Sequence, residues 1–163
     1  MNKQTHPQHG EAIQTDGCYF MVDLSIGEDI GYRLGRISRG FTPLEVNLAY
    51  HYAIPDFMED HRQPGESRCY ILDHPAIISI GLYIMGFREH SVEYKYRNDA
   101  GIQIIGRPDD LDDCNYFVKE VLIGNGPRTH FIRCDRRGVT LYNPGITDDM
   151  EWESFRGYKV TAR

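Results

Sequence analysis

No Cys-x-x-Cys pair occurs among the four cysteines, Cys18, Cys69, Cys114 and Cys134, so no zinc site is expected, and no other metal or cofactor. No apolar run approaches the roughly 18 residues of a membrane span, and the first residues are polar. Neither a membrane helix nor a secretory leader is therefore expected. Positive charge is in deficit: 18 Lys and Arg against 24 Asp and Glu give a net charge of −6. That balance offers no overall basic footprint for nucleic acid or an anionic lipid surface. Internal repeats and low-complexity segments are also missing. A reducing cytoplasm with free thiols is the expected setting, although the even cysteine count leaves disulfides open if the chain is exported by another route.

What remains is an ordinary globular composition, with 40% hydrophobic residues in 163. One domain over residues 14–163 is expected, behind a polar, flexible tail over 1–13; metal binding by His6 and His9 is a lesser reading of that tail. Asp16 is placed to cap a helix starting near Gly17 or Cys18. The run that follows is apolar nearly all round, so this helix should be buried. Between Gly27 and Gly40, glycines and arginines suggest alternating helix and loop. Thr42-Pro43-Leu44-Glu45 is a strong helix start, with Thr capping, Pro in the first turn and Glu three residues after the cap. That helix should stop before Pro55, and His51 on it reads as a surface residue. Residues 56–67 read as a loop and Cys69–Leu72 as a short apolar run. Asp73-His74-Pro75 opens a helix running to Gly86; its isoleucines also suit a strand, but helix is preferred. Val92–Tyr96 alternates as a strand, Asn98–Gly101 turns, and Ile102–Ile105 returns. From Pro108 onward, Leu111, Cys114, Val118, Val121 and Leu122 share a helical face, giving a helix ended by Gly124. The chain closes with an acidic segment over 148–153 and a strand at Tyr158–Thr161. Helices first and strands later fit an α+β class.

Arg128–Cys134 and Val139–Asn143 read as a hairpin about the tetrad Asp135-Arg136-Arg137-Gly138. With a loop of two or four residues, His130 faces Asn143 directly across the ladder. A histidine fixed against a side-chain amide is the base-and-orienter half of a nucleophilic site. Cys18, at the N-terminal end of a helix whose dipole favours an anion, is the candidate nucleophile. Residue by residue, blander readings stand beside these: Cys18 as a small buried hydrophobe, His130 as a strand-face residue, and Asn143-Pro144-Gly145 as a turn.

The order Gln14, Cys18, His130, Asn143 resembles the papain-like cysteine peptidase superfamily. The nearer resemblance is to the bacteriocin-processing type of small bacterial peptidase. There, a helix ending at glycine precedes a strand carrying His-Phe and a strand ending in Asn-Pro or Asp-Pro. The matching pieces are Asn115–Gly124, His130-Phe131 and Tyr142-Asn143-Pro144-Gly145. Gly17-Cys18-Tyr19-Phe20 and Thr129-His130-Phe131 also look like an uncharacterised group of small phage- and plasmid-encoded proteins. The sequence departs from the family's usual motif in reading Asp16-Gly17-Cys18-Tyr19 around the nucleophile. The resemblance implies a papain-like α+β fold, with N-terminal helices and a buried Cys-bearing helix on an antiparallel sheet. It implies a peptidase or amidase, or an acyltransferase, acting on a peptide or peptide-like partner, with Gln14 as an oxyanion donor. Two alternatives stay open. One is a catalytically silent papain-like binding or accessory protein of a mobile genetic element; the other is an unrelated structural protein. Oligomeric state is left open.

Overall fold

A computed structural model describes residues 18–53, 74–122, 129–143 and 152–163. The expectations for the 1–13 tail, the 56–67 loop, the Cys69–Leu72 run and most of the acidic 148–153 segment lie outside them. Among the described residues the chain is α+β, with three helices on a six-stranded antiparallel sheet.

Helix α1 spans Cys18–Arg33. Phe20, Val22, Leu24 and Ile26 are fully buried, and so are Asp23 and Ser25, so the helix is enclosed nearly all round as its sequence predicts. The expected break after Gly27 does not occur: α1 continues through Gly27 and Gly31. At Gly27 a Cβ would lie 3.4 Å from the Cα of Gly81, so two glycines let α1 and the third helix approach backbone to backbone. These glycines serve close packing rather than helix termination.

Helix α2 spans Pro43–Ala53 and starts as the sequence predicts. The Glu45 N–H donates to Thr42 Oγ1 at 3.2 Å, and the Thr42 N–H donates to Glu45 Oε1 at 2.9 Å. This reciprocal cap satisfies two N–H groups that the helix leaves open. The Thr42→Ala substitution should cost about 0.5–2 kcal/mol, read as a lower urea midpoint with an unchanged slope.

Helix α3 spans His74–Ile84, with Ile77, Ile78 and Leu82 buried. Strands β1 (His90–Asp99) and β2 (Ile102–Ile105) follow. Between them, Ala100 (φ 45°) and Gly101 (φ 88°) make the left-handed two-residue turn that matches strand twist.

The predicted helix over Asn115–Gly124 is overturned. Pro108–Asp113 is a 3₁₀ segment, and Tyr116–Leu122 is strand β3. The physical reason is burial on both faces: Phe117, Val118, Lys119 and Val121 are all buried. A strand covered on both sides loses its period of two, and its apolar residues then fall on a helical period by chance. With this correction the piece of the family resemblance that relied on a glycine-ended helix falls away.

Strands β4 (Thr129–Cys134), β5 (Thr140–Tyr142) and β6 (Trp152–Ala162) complete the sheet, in the order β2-β1-β6-β3-β4-β5. The last strand is longer than predicted and lies between β1 and β3. Tyr116, Val118, Tyr142, Tyr158 and Val160 share the main core with the helices. On the other face, Tyr96, Phe117, Cys134 and Phe155 form a second cluster with Leu111 and Cys114.

Candidate active site

Alternation along β4 assigns each residue to a face. Phe131 and Arg133 turn toward the helices: the Phe131 ring lies 5.0 Å from that of His74, and Arg133 Nη1 donates to the Ser25 carbonyl at 3.0 Å. His130, Ile132 and Cys134 turn to the opposite face. There His130 sits beside Val121, its partner on β3, and is 2% exposed.

The structure brings His130 and Asn143 together. His130 Nε2 lies 2.6 Å from Asn143 Oδ1, and both side chains are buried. An amide oxygen only accepts, so Nε2 carries the proton and Nδ1 carries the lone pair. The imidazole is thereby oriented with Nδ1 as the base.

The predicted pairing that delivers this contact is corrected. Gly138 is left-handed (φ 86°), its N–H donates to the Asp135 carbonyl, and the Asp135 N–H donates to the Val139 carbonyl. That is a three-residue loop, and it moves Cys134 opposite Thr140, one residue from the expected register. One such slip would turn Asn143 to the wrong face. A bulge at Leu141 adds a second slip and sets Arg133 opposite Tyr142. Two slips restore the parity. Continuing that register carries Asn143 opposite Ile132, diagonal to His130 on the same face.

Cys18 is the first residue of α1, and Gln14 lies outside the described residues. The helix runs along the sheet: Tyr116 Oη donates to Asp29 at 2.5 Å, Arg133 reaches Ser25, and Asp23 bonds His74 beside Phe131. From Asp23 back to Cys18 is about 7.5 Å of helix. From Phe131 back to Thr129 is about 7 Å of strand. The first turn of α1 and the start of β4 therefore stand at the same end of the sheet.

Sequence reasoning missed one buried polar pair. His74 Nδ1 and Asp23 Oδ1 are 2.7 Å apart, with side-chain exposures of 5% and 0%. The signal was an aspartate inside an otherwise apolar helix, together with the histidine that opens the next long apolar segment. The pair ties α1 to α3 beneath Phe131.

Burial pushes the His130 pKa below the usual 6.5, and the Asn143 hydrogen bond opposes this in part. In the window between that lowered value and about 6.5, the unfolded chain binds a proton that the folded chain excludes. Stability should thus decline as pH falls through about 6.5, and His130→Gln should flatten the decline; urea midpoints at a series of pH values would measure both. The other described thiols are damped by burial. Cys134 is pushed up to about 12 and Cys114 to about 11.

Comparisons with protein-family models, with curated proteins and with solved structures return no match. Among the described residues no group of three or more His, Cys, Asp and Glu side chains could hold a metal ion, and no helix is long and apolar enough to cross a membrane.

Proposed function

We propose that the protein is a cysteine-dependent peptidase or amidase, cleaving a peptide or isopeptide bond through Cys18, His130 and Asn143. The observation that carries this reading is the buried His130–Asn143 pair, whose geometry leaves Nδ1 as the free base. A cysteine opening a buried helix at the same end of the sheet supports it.

In this reading His130 Nδ1 takes the Cys18 proton. The thiolate sulfur attacks the carbonyl carbon, and the oxyanion meets the Cys18 N–H and the Gln14 side chain, each donor contributing about 2.7–4 kcal/mol. His130 then gives its proton to the leaving amine. Water attacks the thioester, or an amine does in the acyltransferase version, and the thiol is restored. The reading requires the thiol to meet His130 round the end of β4, where Thr129 is the strand's first residue.

A second reading, a catalytically silent papain-like binding or accessory protein, is favoured by one observation: His130 stands on the face of the sheet turned from α1. Site-resolved alkylation of the full chain by iodoacetamide at pH 6 separates the two. The enzyme reading expects Cys18 to react well ahead of Cys114 and Cys134. Equal, slow reaction at all three would favour the silent protein.

A further inference from the structure

A second feature lies at the far end of α3, about 15 Å along the helix from His74. A groove of about 530 Å³ is lined there by Leu48 and Tyr52 of α2, by Tyr83 and Ile84 of α3, and by the segment leading into β1. Its size falls in the range of small-ligand sites. The Tyr52 and Tyr83 rings meet edge to face, with centroids 6.0 Å apart, and are 50% and 62% exposed. Two large rings left half open beside Leu48 form an aromatic wall with apolar area still to cover.

Among the described residues lining the groove, the formal charge has one sign. Arg88 lines it, is exposed, and has no acidic partner among the described residues. Arg36 stands next to it, its guanidinium 4.1 Å over the Phe87 ring and hydrogen-bonded to the Met85 carbonyl. The nearby carboxylate, Glu89, is engaged by Arg163 at 3.0 Å. His90 is fixed in place: its Nδ1–H donates to the Phe87 carbonyl at 3.0 Å, so Nε2 accepts from Ser79 Oγ at 2.6 Å. An aromatic wall sharing a groove with a guanidinium that has no acidic partner among the described residues, in a chain of net charge −6, is a local exception to the molecule's overall field.

We propose that this groove binds a small planar aromatic molecule carrying a carboxylate. The ring lies against Tyr52 and Tyr83, and the carboxylate takes the guanidinium of Arg88 in a bidentate pair. The site does not depend on the cysteine peptidase reading. Two probes of the same ring test it by calorimetric titration of the full chain: 1-naphthaleneacetate and the neutral 1-naphthaleneacetamide. The acetate should bind saturably and the amide about tenfold more weakly. Arg88→Gln should bring the acetate down to the affinity of the amide, and Tyr83→Ala should weaken both probes. Both substitutions are on exposed side chains and should leave the fold intact. No saturable binding of either probe, equal affinity for the two, or an Arg88→Gln variant that binds the acetate as before would each overturn the proposal.

Discussion

The His130→Ala variant should lose the low-pH reactivity of Cys18. An ordinary thiol with a pKa near 8.5 is almost wholly protonated at pH 6, whereas a thiol at a helix N-terminus beside a histidine has its pKa lowered to roughly 3.5–7.5. Removing the imidazole should slow alkylation at pH 6 on the order of 100-fold, since that partner accounts for most of the thiolate. Burial, which lowers the His130 pKa, opposes the imidazolium, and the thiolate formed beside the ring offsets that effect. Asn143→Ala should cost less, because the ring stays and only its orientation loosens. Rates at each cysteine across pH 5–9, read by mass spectrometry, would show this. A Cys18 profile with one inflection above pH 8, unchanged in His130→Ala, would count against a working nucleophile and favour the silent reading.

The Tyr142→Ala variant should be the most damaging single substitution in the hairpin. Its neighbour Leu141 is half exposed, yet it supplies the second slip in register. The bulge at Leu141 is what sets Tyr142 opposite Arg133 and carries Asn143 to the His130 face. Tyr142 is there 4% exposed in the main core, and the substitution empties its place. Losing one large aromatic from a core costs about 3–5 kcal/mol. The Leu141→Ala variant should change stability by no more than about 0.5 kcal/mol. Chemical denaturation of the two variants separates the core residue from the bulged one. If Tyr142→Ala were as mild as Leu141→Ala, the bulge would not be what buries Tyr142.

Much of the architecture was legible because its signals are local. Thr42, Pro43 and Glu45 announce α2, and Asn98–Gly101 announces a turn. The polar tetrad Asp135–Gly138 announces the hairpin that carries His130. What was hidden depends on contacts distant in sequence. Gly27 looks like a helix breaker until Gly81 is seen against it. Tyr116–Leu122 looks helical until both its faces are covered. Nothing in Leu141 itself marks a bulge; its role follows from where Tyr142 must be buried. The His130–Asn143 contact was thus expected from a register that the structure replaces. The contact survives because a Gly138 loop and a bulge together shift the strand by an even step.

The place of β6 also shapes how this chain comes off the ribosome. Residues 152–162 form the strand that joins β1 to β3, so until they emerge the sheet exists only as separate hairpins. At about 5–20 residues per second, the inner edges of β1 and β3 stay unpaired for seconds after their own synthesis. Those open edges carry Tyr94, Tyr96, Phe117 and Val118, residues suited to pairing with another nascent chain. Assembly of the sheet is therefore a late, non-local event, and it is the stage at which this polypeptide most needs protection from its neighbours.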